Sequence, residues 1–347
     1  MADPASTPAV LVSAPGRAAL VEQPVDRPGP GEVLVQVRAA GICGSDVELF
    51  AGSRPAEAVR YPVVPGHEWA GVVAETGAGV TGLAAGDPVT AEGIRWCGMC
   101  DRCREGATNL CLAGYQETGF TLPGAFSGYV LVPARLVHRL PPDLPVEHGA
   151  LLEPTACVAA AVGFADPRPG QVAAVVGGGT LGVLAVQLLA LHAPAELVLV
   201  EAREDRRELG RSLGATTALA PDQAAADGIG ADVVIEAAGR PGTARAAAAL
   251  ARRGGTVVLC GIPGEPSAGP DPVDVALREL HLHGVFGAST AAWAQAARLY
   301  RAGLLDLGAL VTHRFALADF AAALRLVAGH SPGTGKVLLE PTEPVRA

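Results

Sequence analysis

The sequence predicts an α/β protein of two domains, one β-rich and one built on a doubly wound parallel sheet. Three observations carry this. The chain has 347 residues, too many for one ordinary core. Its first half reads as short β-rich segments broken by Gly and Pro. From about Gly170 the texture changes to apolar strands alternating with helical stretches, the pattern of βαβ units around a parallel sheet.

Taken in order, the Pro-rich piece EQPVDRPGPGE, from Glu22, reads as surface turns, and EVLVQVRAAGIC and HEWAGVVAETG read as strands. QVAAVV, ending at Val176, is a buried apolar run, followed by GGGTLG and the helical TLGVLAVQLLALH. ELVLVE is a strand, and REDRRELGRSLGA is a helix stopped by Gly214. ADVVIEAAG is a strand, RPGTARAAAALARR leads into a helix, and GGTVVLCG and LHLHGVFG are further strands. Beyond Ala288, AAWAQAARLYRAG and LADFAAALRLVAG are helical and KVLLE is the last strand.

Composition narrows the class. Half the residues are hydrophobic and 18% are charged, which excludes disorder for most of the chain. A net charge of -9 argues against a nucleic-acid partner. Charges, Gly and Pro interrupt every apolar stretch short of the ~18 residues of a membrane span, so no membrane association is expected. The stretch MADPASTPAV lacks a basic region followed by an apolar one, so the expected location is cytoplasmic. Lys336 is the only lysine, and this reads as a codon habit. In a reducing compartment, clustered cysteines are metal ligands more often than disulfides.

GGGTLG contains GxGxxG as Gly177, Gly179 and Gly182, with Thr180 and Leu181 between, and it opens a helix after a buried strand. Gly177 permits a tight turn, Gly179 lets backbone approach a pyrophosphate, and Gly182 allows close helix–strand packing. Glu201 ends the next strand, where a carboxylate accepts from the adenosine ribose hydroxyls and repels a 2′-phosphate, favouring NAD over NADP. Arg203, Arg206 and Arg207 follow closely and work against that preference. They read chiefly as a solvated helix face, with Arg206 also placed at the cofactor.

Four of the seven cysteines, Cys97, Cys100, Cys103 and Cys111, are spaced C-x2-C-x2-C-x7-C. Four thiolates on a short loop suit tetrahedral zinc. A ferredoxin-type cluster is the rival, but there the fourth Cys comes after three residues and precedes Pro. Here Leu112 follows Cys111. The segment therefore reads as a closed structural zinc site, with the chemistry elsewhere.

Elsewhere means GICGSDVELF, PGHEWAG and LLEPTACVAAAV, which supply Cys43, His67, Glu68 and Glu153. A thiolate, an imidazole and a carboxylate can hold zinc with one position open. Their wide separation does not by itself establish a site. With these residues, however, the chain resembles the zinc-containing medium-chain dehydrogenases over nearly its whole length. GICGSD, GHEWAG, the four-cysteine lobe, the EP of Glu153 and the glycine turn stand in that family's order.

The resemblance implies a GroES-like catalytic domain over residues 1–154 and 289–347, with the structural-zinc lobe at 95–112, and an inserted Rossmann domain over 155–288. It implies two zinc ions and NAD. Cys43 and His67 match ligand positions, and Glu68 matches a Glu that either binds zinc or sits behind it. Glu153 stands where many alcohol dehydrogenases carry a second Cys, and a Glu there resembles the polyol, threonine and aminocyclitol branch. Ser45 matches the hydroxyl that relays the proton away, and Asp46 is structural. Glu48 replaces a His that ends the relay in many relatives, and Leu49 replaces a Tyr of some polyol enzymes. Glu48 is open between two roles, ending the relay in place of that His or meeting a substrate hydroxyl or amine, and the second is favoured.

Phe50, Trp69 and Phe120 are open between pocket wall and core, and Cys157 reads as buried filler. The implied activity is hydride transfer between a secondary alcohol (a polyol, sugar, cyclitol or aminocyclitol) and NAD. A simple alcohol or amino-alcohol dehydrogenase is the alternative. A zinc-stabilised dinucleotide-binding protein without turnover is the alternative of another class, opposed by the intact Cys43, Ser45 and His67. The family implies a homodimer formed near LHLHGVFG, or a homotetramer, with a small hydroxylated molecule as the other partner.

Overall fold

The computed structural model describes residues 6–329 and 331–341. Residues 1–5, which open the stretch read for a leader, and 342–347, which end the expected catalytic-domain tail, lie outside the described residues. The chain divides into two compact units, Met1–Glu153 with Ser289–Ala347, and Pro154–Ala288.

The first unit opens with the antiparallel ribbon of β1 (Ser6–Ala14) and β2 (Arg17–Pro24). The piece read as surface turns thus starts inside a strand: Glu22, Gln23 and Pro24 close β2, because Pro is tolerated at the end of an edge strand. Then come β3 (Glu32–Ile42), α1 (Gly44–Ala51), β4 (Glu68–Thr76), β5 (Pro88–Ala91), α2 (Asp101–Arg104), β6 (Tyr129–Pro133) and β7 (Val137–Arg139).

A 3-10 stretch, Val146–Leu151, runs straight into α3 (Leu152–Ala165). Contrary to the sequence expectation, the joined run Val146–Ala165 is long and apolar enough to cross a membrane. Glu147 and Glu153 are too few charges to lower its hydropathy below 1.2 over an 18-residue window, but 67% of that window is buried within the protein, as in a core helix.

The second unit carries β8 (Val172–Val176), α4 (Thr180–Ala190), β9 (Glu196–Val200), α5 (Glu204–Ser212), β10 (Thr217–Leu219), α6 (Pro221–Asp227), β11 (Ala231–Glu236), α7 (Thr243–Leu250), β12 (Ala251–Leu259), α8 (Pro272–Leu277) and β13 (His281–Gly284). Its strands are all parallel, in the order β10-β9-β8-β11-β12-β13. The strand order reverses between β8 and β11, the switch point at which such sheets bind ligands. Strand β10, three residues long, is too short to show a periodicity and was not foreseen.

The chain returns to the first unit as α9 (Thr290–Arg301), β14 (Val311–Ala316), α10 (Phe320–Ala328) and β15 (Lys336–Glu340). Strand β15 inserts beside β3, giving the order β14-β15-β3-β4-β5-β7, with β6 also paired to β3. Val33, Val35 and Val37 of β3, Val73 of β4 and Leu339 of β15 share one core with Phe126 and Phe320. Trp69 is fully buried in that core, and Phe120 sits in a smaller cluster with Val12, Leu49 and Val63, against which Phe50 packs.

At the β8–α4 junction Gly177 has φ +100, and a Cβ there would lie 2.7 Å from Ala238. A Cβ on Gly182 would lie 1.7 Å from the Gly177 carbonyl oxygen. Backbone cannot yield as a flexible side chain does, so Gly182→Ala must lift α4 from β8. The expected loss is about 3 kcal/mol of stability, read as a lower urea midpoint; an unchanged midpoint contradicts this packing.

Candidate metal centre and dinucleotide site

The ladder between β3 and β4 pairs Gly41 with Glu68. The residues just beyond that pair, Cys43 and His67, therefore come to the same end of the sheet. Cys43 caps α1, its N–H donating to Asp46 Oδ2 at 2.8 Å. Ligand atoms of Cys43, His67 and Glu68 lie within 4.8 Å of one another.

His67 is 5% exposed, with Nε2 3.4 Å from Ser45 Oγ and Nδ1 3.6 Å from Asp46 Oδ1. At that separation neither Nδ1 nor Oδ1 is hydrogen-bonded. Burial opposes a charged imidazole, but Asp46 and Cys43 outweigh it and hold His67 well above the usual range. A half-buried cysteine sulfur beside a buried imidazole and a buried carboxylate forms a donor set that fits a divalent cation.

Glu68 is also buried, and its Oε2 accepts from Lys336 Nζ, which donates to Ile42 O at 3.3 Å. The only lysine is thus a buried counter-ion behind the cluster, which composition gave no reason to expect. Glu153, in the first turn of α3, is half-buried and not in the three-residue group. Its charge acts on Glu117 and Lys336. Glu48 lies on α1 with Oε2 4.0 Å from Arg54 Nη1, a partner not foreseen.

Cys97, Cys100, Cys103 and Cys111 also bring their sulfurs within 4.8 Å of one another. Backbone N–H groups of Met99 and Cys100 donate to Cys97 Sγ, bringing its thiol down to about 6. Burial and neighbouring thiols push Cys103 up to about 12. Four cysteine sulfurs this close to one another form a set that can hold a metal ion. Trp96 and Thr290 donate to buried Glu92 at 2.9 Å each, and Thr108 Oγ1 is 3.2 Å from Thr290 Oγ1. These bonds fasten the cysteine loop to the start of α9.

In the second unit Gly179 caps α4, and a Cβ there would meet nothing within 4 Å. This is the open approach a pyrophosphate needs, with Thr180 and Leu181 in the helix's first turn. Glu201 follows β9, but its carboxylate serves the backbone: Oε2 accepts from Gly178 N at 2.6 Å and Oε1 from Arg203 N at 2.9 Å. Arg206 Nη1 donates to Gly178 O at 2.9 Å, so this arginine clamps the glycine turn and is not part of a solvated face. A second carboxylate, the buried Glu236, ends β11 and accepts from Ala238 N and Gly239 N at 2.9 Å each. No motif flagged it.

Glu117 is 8% exposed, and Tyr115 Oη donates to its Oε2. Burial first, then Glu153 and Asp46, push its carboxyl up to about 7 against the opposing charges of His67 and Arg54. The native chain therefore keeps this proton between the ordinary 4.5 and about 7 while the unfolded chain loses it, so stability falls as pH rises through that window. Glu117→Gln should abolish this loss, gaining about 1–3 kcal/mol above it and little below it. Thermal melts of both proteins across pH test this, and parallel curves count against it.

The alcohol dehydrogenase GroES-like domain family matches residues 29–142, and the zinc-binding dehydrogenase family matches residues 180–302. L-threonine 3-dehydrogenase of Symbiobacterium thermophilum is 36% identical over 343 residues, covering 95% of this chain and 96% of the relative. A zinc-binding dehydrogenase of Sinorhizobium meliloti 1021, solved bound to NADP, is 32% identical with a TM-score of 0.90, over 97% of this chain and 99% of that one. Galactitol-1-phosphate dehydrogenase from Escherichia coli is 27% identical with a TM-score of 0.86, over 96% and 100%. With a GroES-like unit, a Rossmann unit and full-length relatives of this kind, the chain belongs to the zinc-containing medium-chain dehydrogenases, a family of oxidoreductases.

Proposed function

We propose that this chain transfers hydride between a secondary alcohol, of polyol, sugar or cyclitol type, and NAD. The observation that carries this is the Cys43, His67 and Glu68 group with Ser45 Oγ 3.4 Å from His67 Nε2. Zinc held there would supply a Lewis acid for the carbinol oxygen, and NAD the hydride acceptor. Cys43 and His67 are its ligands. Asp46 orients the imidazole from its Nδ1 side, and Glu68, tied to Lys336, stands behind them as a reserve ligand. Glu153 supplies the further carboxylate at the open side.

Ser45 Oγ takes the carbinol proton, which leaves through water. Glu48 meets a substrate hydroxyl or amine. The four cysteines would hold a second zinc as a structural ion, which makes two per chain under this reading. The threonine 3-dehydrogenase relative favours a second reading, an amino-alcohol substrate. The edge of β13, paired among the described residues with β12 alone and carrying exposed Leu282, supports a homodimer through that strand, or a homotetramer built on it.

The preference for NAD rests on Glu201, whose oxygens each keep a lone pair for a ribose hydroxyl and whose charge opposes a 2′-phosphate. NADP in the Sinorhizobium protein belongs to that relative.

An NAD reduction screen over polyols, cyclitols and amino alcohols tests the reading. Turnover of polyols but not amino alcohols is expected, and the reverse selects the second reading. Glu201→Ala should weaken NAD about tenfold, the loss of one good hydrogen-bonded anchor, and relax discrimination against NADP. A native protein that prefers NADP defeats this assignment.

Cys100→Ser should lower Tm and remove one zinc per chain while leaving the other, since structural zinc contributes directly to folding. Metal analysis that finds iron with visible absorbance counts against it.

A further inference from the structure

Arg54 is not used by the reading above, yet it lies close to the candidate metal group. Gly52, with φ 74, ends α1 and lets the chain turn back. The Arg54 guanidinium carbon then sits 3.9 Å from the centroid of the Phe120 ring. The His67 ring centroid is 4.7 Å from the same ring. Laid end to end, these two separations bound the distance from guanidinium to imidazole centre at 8.6 Å. A molecule whose reacting oxygen sits at Cys43 and His67 thus has Arg54 within reach of an oxygen a few bonds away.

The guanidinium is poorly matched for so enclosed a cation. Its side chain is 11% exposed. Its hydrogen-bond partner is Tyr115 Oη at 3.4 Å, and its ion-pair partner is Glu48 at 4.0 Å, beyond hydrogen-bond distance. Its Nε is buried without an acceptor. A cation withdrawn from water is costly unless a planar acceptor pairs its donors, and among the described residues none does. Tyr115, by donating to Glu117, turns its oxygen lone pairs toward Arg54 and positions it. The arginine is thereby held over Phe120 with donors left over.

We propose that Arg54 is a specificity-determining residue, hydrogen-bonding an acceptor oxygen of the substrate beyond the reacting carbinol. That oxygen belongs to a further hydroxyl or to a carboxylate. The inference rests on the dehydrogenase reading above and deepens it: a bare secondary alcohol does not use Arg54, whereas a polyhydroxylated or acidic one does.

Three ring compounds separate the cases: cyclohexanol, inositol and a hydroxycyclohexanecarboxylate. For each, kcat/KM with NAD and calorimetric binding to the zinc-replete, NADH-loaded protein are measured for wild type, Arg54→Met and Arg54→Lys. Arg54→Met is expected to lose about 10- to 100-fold, the size of one charge-assisted hydrogen bond, on inositol or on the acid. Cyclohexanol should change less than about twofold. Arg54→Lys should recover part of the loss by restoring the charge without the fork. Whichever compound suffers identifies the oxygen.

Equal losses on all three compounds mean a structural role and overturn the proposal, as does no loss on any, or no binding of any by wild type. If wild type binds these compounds and turns over neither them nor any alcohol of the NAD screen, the dehydrogenase reading fails. The binding ratio between wild type and Arg54→Met still decides Arg54. Unchanged Tm and zinc content in Arg54→Lys show that the fold is intact.

Discussion

The buried pair between Lys336 and Glu68 is the interaction on which the first unit depends. It joins residues 268 apart in sequence, one at the start of β15 and one at the start of β4, with β3 between them. Two charges taken out of water cost several kcal/mol each and are tolerable only together. The returning strand is therefore held in one register against the amino-terminal strands. Gly41 makes the space: a Cβ there would lie 2.4 Å from Glu68 Oε2. That register brings Cys43 and His67 to one sheet end, so the candidate metal centre is a product of strand pairing more than of local sequence.

A comparable economy governs the second unit. Carboxylates at the ends of two parallel strands, Glu201 and Glu236, accept backbone N–H groups from the turns that follow. A turn at the carboxyl end of a strand leaves amides without ladder partners, and a carboxylate is the strongest neighbour for them. Arg206 adds a donor to the Gly178 carbonyl. The glycine turn is thus shaped by side chains before any phosphate reaches it, which limits the reorganisation that binding must drive.

Around Phe120 the chain gathers more charge than a metal centre alone requires. His67 lies against the ring and Arg54 over it, with Tyr115 linking Arg54 to Glu117. The cysteine loop is handled otherwise. It has almost no regular structure beyond the four-residue α2, and it is secured to the body through Glu92, Trp96 and Thr290. A loop with so little core of its own suits a metal as its internal cross-link.

Much was legible in the sequence. GxGxxG following an apolar strand announced the β8–α4 turn, because only glycine tolerates φ +100 at Gly177 and a 1.7 Å approach at Gly182. Cysteine spacing announced the four-sulfur cluster, because loop ligands close in sequence need little help to meet. Most strands and helices of the second unit declare themselves by pattern, whereas β1, β6, β10, β14 and the helices α1, α6 and α8 do not. The three-residue metal group was legible only through resemblance to a family, since Cys43 and His67 meet by strand register. The roles of Lys336, Arg54, Glu117 and Glu236 were decided by tertiary structure alone. A lone charged residue carries no periodic signal, and whether it is solvated, paired or held against an aromatic ring depends on chain segments far away in sequence. What the sequence by itself determined was therefore local: the glycine turn, the cysteine loop and the alternation of elements. What the fold decided was electrostatic, because burial and long-range pairing set the behaviour of each charge.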